Sequence, residues 1–259
     1  MFPNIKQSIL LIVALSLLKT LIVIALVYIG LRWQAGDPFA YFLVVTISTA
    51  ILLIYSMKQM NLSISMLCHA GMNRVLQLIS VVFVPIIFLT FGLQIASDVI
   101  MTLQNSIFGI NPEVVFFNNI YSTGIFGVIC ICLVAPIAEE LVFRGVILRG
   151  LLSRLRSTHA ILLSSMLFAI FHFNADQTFF VLFIGCFLGW LYVKSYSLYP
   201  SIIAHICFNS WSYILGGIEV SDVESTYLPV EWQMLGFAAL FGSMFILSRI
   251  FNKKVKIIE

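Results

Sequence analysis

The sequence predicts an all-α protein: a polytopic membrane helix bundle with about eight transmembrane helices and both termini on the cytoplasmic side. Three observations lead there. The chain of 259 residues is 61% hydrophobic and only 10% charged, and its mean hydropathy of +1.07 is far above that of soluble domains. Apolar stretches long enough to cross a bilayer recur from one end to the other. Basic residues collect in alternate connections between those stretches.

The first stretch, within "MFPNIKQSILLIVALSLLKTLIVIALVYIGL", superficially suits a signal peptide. Its apolar run is too long and no small-residue cleavage site closes it, so it reads as a retained helix over 8–31 with Lys19 on a protein-facing or water-accessible side. Further spans follow at 39–57, 75–96, 122–148, 159–173, 178–194, 199–217 and 232–251. Residues 97–121 are too polar to span and too apolar for an ordinary loop. They are expected to form an interfacial, partly helical segment on the outer side or a loop packed on helix ends. No hydrophilic block is long enough for a separate soluble domain, so residues 1–259 read as a single integral-membrane domain.

With the N-terminus inside, the cytoplasmic segments hold Lys6, Lys58, Arg74, Arg149, Arg154, Arg156, Lys194, Arg249, Lys253, Lys254 and Lys256. The outer loops hold only Arg32 among basic residues, which fixes the orientation. The net charge of +3 is thus an asymmetry across a membrane and gives no support to nucleic-acid binding. The five cysteines, Cys68, Cys130, Cys132, Cys186 and Cys207, offer no disulfide framework and no CxxC spacing, and read as packing residues. Gly185 and Gly189 form a GxxxG, read as an intramolecular packing face or a dimer seam. The C-terminal "NKKVKIIE" reads as a basic tail at the membrane surface. His69 and His159 fall in cytoplasmic loops and receive no role.

Few ionisable groups remain at depth: Lys19, Glu139, Glu140, Arg144, His172 and His205. Each is costly in hydrocarbon, and such residues face the bundle interior with partners. In "APIAEELVFRG", Glu140 and Arg144 are i and i+4 on a helix and can pair, while Glu139 lies about 100° away. One carboxylate is then held by a guanidinium and the other left free, a division of labour that active sites use. Pro136 removes a backbone donor and can bend the helix to open space beside Glu139. The bland reading makes these three charges a snorkelling mouth at the cytoplasmic end of the fourth span. Against it stand "FAIFH", ending in His172, and "HICFN", in which His205 and Asn209 share a face at i and i+4. Two histidines, an asparagine and two carboxylates on three spans read most economically as convergent, each meeting the others' hydrogen bonds. Depth is the difficulty: Glu139 falls in the cytoplasmic half of the fourth span, His172 near the far end of the fifth.

In these residues the sequence resembles the CAAX-protease and bacteriocin-processing family, the intramembrane proteases also called the Abi family. The family's motifs are a Glu-Glu doublet with Arg four residues after the second Glu, a Phe-xxx-His and a His-xxx-Asn. They stand here in order as "EELVFRG", "FAIFH" and "HICFN", within a catalytic core over 120–215. The resemblance implies an intramembrane endopeptidase in which Glu139 activates water as general base and His172 helps hold that water. It makes His205 and Asn209 the stabilisers of the oxyanion, with Glu140 and Arg144 in the remaining motif positions. The substrate implied is a membrane-embedded or lipidated peptide or protein, in contact with the lipid bilayer.

The chemistry agrees with the residue types, since peptide hydrolysis needs a base, donors for an oxyanion and an acid for the leaving amine. No Ser-His-Asp or Cys-His arrangement suggests a covalent intermediate. Zinc stays open: Glu139, His172 and His205 would make a His₂Glu set with a position for water. HExxH is absent, asparagine is an uncommon zinc ligand, and the same groups make a metal-free site, which is the reading preferred. Two other classes compete. A non-catalytic scaffold or immunity protein would be expected to have lost a motif residue, and none is lost. A proton-coupled transporter suits buried Glu, Arg and His, but no inverted repeat is visible. Compact size and short loops favour a bacterial plasma membrane.

Overall fold

The computed structural model describes residues 2–29, 37–63, 66, 72–108, 124–172, 178–219 and 229–258. Among the described residues all regular structure is helical. With the continuous run Gly124–Leu152 taken as one element, there are eight helices: α1 (Ile5–Tyr28), α2 (Pro38–Met60), α3 (Met72–Phe108), α4 (Gly124–Leu152), α5 (Ser157–Phe171), α6 (Thr178–Ser195), α7 (Leu198–Glu219) and α8 (Val230–Ile258). Each expected span has its helix.

Six of the eight are long and apolar enough to cross a membrane: α1, α2, Leu78–Ile100 of α3, α4, α6 and Val230–Lys253 of α8. The other two expected spans are also helices but fall below that length or hydropathy: α5, with the 15 residues its expected span of 159–173 had, and α7. In α7, His205, Asn209 and several serines dilute the apolar run. Of the segment expected to be interfacial and partly helical or a packed loop, residues 97–108 are helical and continue α3, while 109–121 lie outside the described residues. The start of the basic tail likewise continues α8 to Ile258. Arg32, His69, Cys68 and the sequence after His172, "FNADQ", are outside the described residues.

Helix ends follow local chemistry. Asn4 and Gln7 close a reciprocal capping box at α1, with side chain to backbone bonds of 2.8 and 2.9 Å. Asp37 accepts from the amides of Phe39 and Ala40, and Pro38 fills the first helical position of α2, where no N–H is needed. Asn61 ends that helix in the left-handed region at φ 52°. Outward faces remain apolar, as at Leu17, Leu21, Val84, Phe88, Phe241 and Phe245, the distribution a lipid environment favours.

Two apolar clusters hold the bundle. One packs α1, α2, α4 and α5 through residues such as Leu15, Leu52, Phe143 and Phe168. The other packs α3, α7 and α8 through Val82, Leu89, Phe208 and Leu240. Helix α6 joins both, through Val181 on one side and Leu188 on the other. Small residues bring backbones close. A Cβ on Gly185 would lie 3.0 Å from the Ser165 Cβ, and one on Gly189 3.1 Å from Ile161, so the GxxxG of α6 faces α5 of the same chain. Gly92 of α3 and Gly236 of α8 form a tighter crossing, where an added Cβ would come within 2.5 Å of the opposite helix.

Helix α4 is irregular where the chemistry lies. Two π-helical stretches, Cys130–Val134 and Leu141–Leu148, flank the α-helical turn Ala135–Glu140 that carries the glutamates. Pro136 accounts for the first, because its ring has no N–H to return to residue 132 and crowds that carbonyl, so the helix widens before it. The helix nevertheless runs on unbroken, four residues past its expected end, to Leu152.

That extension resolves the depth difficulty. A short turn over 153–156 joins α4 to α5. Counting back from Leu152, Glu139 is about 20 Å up α4; counting forward from Ser157, His172 is about 22 Å up α5. The two residues come to about one level because the fourth helix ends four residues later than hydrophobicity alone suggests, while the fifth keeps its expected 15 residues and starts two positions earlier.

Candidate active site

Glu140 and Arg144 lie one above the other on α4 and pair as their spacing requires, Nη1 donating to Oε1 at 2.7 Å. Both are fully buried. The other guanidinium nitrogen, Nη2, donates to the Gly185 carbonyl of α6 at 3.0 Å. Glu140 Oε2 and Arg144 Nε have no hydrogen-bond partner among the described residues, so the pair is end-on and not a two-pronged fork.

The same Oε1 of Glu140 meets His205 Nδ1, from α7, at 2.9 Å. A carboxylate facing a guanidinium only accepts, so the proton of this bond belongs to Nδ1. The imidazole is thereby fixed with Nε2 turned to Glu139, whose Oε2 lies 3.7 Å away, too far for a direct hydrogen bond. Glu139 is 17% exposed, against 0% for Glu140, so the doublet divides into a buried, paired carboxylate and one with open space beside it. That space is a small, half-open cleft between α1, α2, α4 and α5 with room for about one water molecule, lined by Leu15, Lys19, Thr49, Glu139 and Phe171 among others.

His172 and Asn209 adjoin this group without bonding to it. His172 follows the last residue of α5, and its Nδ1 bonds the Phe168 carbonyl at 2.8 Å. A carbonyl cannot donate, so Nδ1 carries the proton and Nε2 is left as the acceptor. Asn209 donates from Nδ2 to the Ile131 carbonyl at 3.0 Å, inside the first π-helical stretch, and its own backbone carbonyl receives the Cys132 thiol at 3.7 Å. The expectation that the two histidines, the asparagine and the two carboxylates meet one another's hydrogen bonds is therefore met only between Glu140 and His205. Of the six motif residues, Glu139, Glu140, Arg144 and His205 form the cluster, while backbone carbonyls hold the other two.

The element that sequence reasoning passed over is the ring of Phe168. Its centroid is 4.6 Å from that of His172 and 5.8 Å from that of His205, both edge-on. The Arg144 guanidinium lies 4.8 Å over the same ring. The first residue of "FAIFH" is thus a spacer that sets the two histidines apart and covers the cation. Gly185 is the other contributor not foreseen, through its carbonyl. The contact of Phe168 with His172 follows from their i and i+4 spacing on α5, whereas its contacts with His205 and Arg144, and that of the Gly185 carbonyl with Arg144, join elements distant in sequence.

This spacing bears on the metal-ligand set Glu139, His172 and His205. Among the described residues no three His, Cys, Asp or Glu side chains are grouped to hold a metal ion. The Phe168 ring adjoins both imidazoles, while the bonds that occupy Nδ1 of His172 and of His205 leave each Nε2 open, as in a metal-ligating histidine, so the tautomers by themselves fit the metal-free and the zinc reading alike.

Comparison with known proteins points to the same stretch. A 114-residue alignment with the protein named "Putative membrane peptidase YdiL" from Bacillus subtilis (strain 168) is 25% identical and covers 44% of this chain and 44% of that relative. No solved structure matches the chain. Residues 121–211, which carry the whole Glu139, Glu140, Arg144, His172, His205 and Asn209 constellation, match the family described as Type II CAAX prenyl endopeptidase Rce1-like.

Proposed function

We propose that the chain is an intramembrane endopeptidase that hydrolyses a peptide bond in a membrane-embedded or lipidated peptide, with water activated by Glu139. One observation carries the reading. A partly open carboxylate, Glu139 Oε2, faces an oriented imidazole, His205 Nε2, across 3.7 Å at the edge of a cleft, with the buried Glu140–Arg144 pair fixing that imidazole from behind.

In this reading Glu139 takes a proton from water, and the resulting hydroxide adds to the substrate carbonyl. His172 holds the water through the acceptor nitrogen that its bond to Phe168 leaves open. His205, carrying a proton on Nε2 as well as on Nδ1, and the second N–H of Asn209 stabilise the oxyanion as it forms, and the proton held by Glu139 passes to the leaving amine. Glu140 and Arg144 act through His205, as positioning residues. The substrate is a peptide held at the membrane, in keeping with the Rce1-like match. The site's own residues supply base, acid and oxyanion donors, so no step is routed through a metal.

The test is cleavage of a quenched fluorescent CAAX-type peptide by purified protein in detergent, with and without a strong zinc chelator. Wild-type cleavage that persists with chelator and is lost in Glu139→Ala is the expected result. Equal cleavage by Glu139→Ala would overturn the reading. Loss with chelator and recovery with zinc would replace its metal-free form.

A further inference from the structure

Lys19 is the one ionisable residue singled out at depth in the sequence that the proposed mechanism does not use. It sits well inside α1, about 21 Å from the start of the helix at Ile5 and about 13 Å from its end at Tyr28. Lipid headgroups at either surface are therefore out of ordinary reach. Its ammonium lies 4.3 Å from the centroid of the Phe171 ring and, among the described residues, makes no ion pair with a carboxylate. Arg144, the comparable cation at this depth, is paired with Glu140.

Lys19 also lines the cleft beside Glu139. The cleft walls are otherwise mainly apolar, with Leu15 below the lysine on α1 and Val142 and Phe143 on α4; Thr49 adds a hydroxyl from α2. A contact with an aromatic face leaves the three N–H donors of the ammonium without acceptors; the Glu139 carboxylate acts on it across the cleft without closing an ion pair, so donors remain for a further acceptor of opposite sign. A compact ammonium suits a single carboxylate as a point charge.

From these observations, and resting on the endopeptidase reading above, we infer that Lys19 is a specificity-determining residue. It would bind a carboxylate that the substrate carries within about two residues of the scissile bond, a separation of roughly 7 Å along an extended chain. The carboxylate belongs either to an Asp or Glu side chain or to a free C-terminus. The walls around the lysine are mainly apolar, so the segment that lies against the cleft is apolar and bears one negative charge.

The experiment uses one fluorogenic apolar peptide in four forms: free-acid C-terminus, amidated C-terminus, and the amidated form with either Asp or Asn at each position flanking the cut. Wild-type protein is expected to cleave a carboxylate-bearing form at least about tenfold faster in kcat/KM than its neutral partner. The free-acid and Asp arms show which source is read. Lys19→Gln should cut charged and neutral forms at one low rate, Lys19→Arg should keep most of the preference, and Lys19→Glu should reverse it. Equal cleavage of charged and neutral forms by wild type, or an undiminished preference in Lys19→Gln, would overturn the inference.

Binding separates this inference from the hydrolysis reading. Fluorescence anisotropy of the same labelled peptides on Glu139→Gln protein should show the carboxylate preference, and Glu139→Gln/Lys19→Gln should lack it. If wild type cleaves nothing while that binding preference holds, the peptidase reading falls and Lys19 as a carboxylate site stands. If the preference is absent in binding as well, the Lys19 inference falls.

Discussion

Glu139 and Glu140 are neighbours in sequence with opposite fates, and the difference should be measurable. Glu139→Gln is expected to lower kcat/KM on a cleavable peptide by at least about 10²-fold, the usual scale for losing a general base, without moving the thermal midpoint in detergent. Glu140→Gln should do the reverse in stability. It removes the charge facing a buried guanidinium, and breaking a buried pair from one side costs about 3–5 kcal/mol. The expected readout is a clearly lowered Tm together with lost activity. Equal Tm for both variants would contradict the division between them. The pairing itself was legible in the sequence, because i and i+4 is a contact rule that needs no tertiary information. The Gly185 carbonyl and the Phe168 ring were not. Apart from the i and i+4 contact of Phe168 with His172, these contacts run across helices, and the chemistry of a backbone carbonyl or an apolar ring gives no sign of them in the chain. His172 and Asn209 show the same limit: their identities were legible, their backbone partners were not.

At the scale of elements, hydrophobic length located every helix but misjudged two properties. The fourth helix runs through the charged and glycine-containing end that hydropathy would trim, and only the packing of Leu148 and Leu151 in the core keeps it helical there. Nor does a hydropathy pattern reveal π-helical winding, although Pro136 marks where the first such stretch must arise. The crossing of α3 and α8 gives a prediction at this scale. Gly236→Val would press into Ile95, and overpacking of this kind costs about 1–3 kcal/mol. A lowered Tm is expected, with kcat per folded molecule little changed, because that crossing lies away from Glu139. Gly242, with nothing within contact range of an added Cβ, provides the control, and Gly242→Ala should leave Tm in place.

For the whole molecule, the all-helical class and the recurrence of apolar spans were the most legible features, since composition decides them before any contact forms. Orientation is the property left to experiment. Single cysteines placed at Lys58 and Arg154 in a cysteine-free background are expected to react with a membrane-impermeant maleimide only after the cytoplasmic face is opened. Labelling of both in intact cells would reverse the positive-inside assignment. A last consequence concerns the lipid around α5. A helix of 15 residues rises about 22 Å, whereas the hydrocarbon layer is about 30 Å thick. Leu162, Met166 and Ile170 present an exposed apolar face on it. A bilayer meeting that face must thin or dimple by several ångströms, about 8 Å at full mismatch. Thinning there would draw the aqueous boundary toward the helix end that carries His172, and on the endopeptidase reading proposed above it would give the site a local supply of its second reactant.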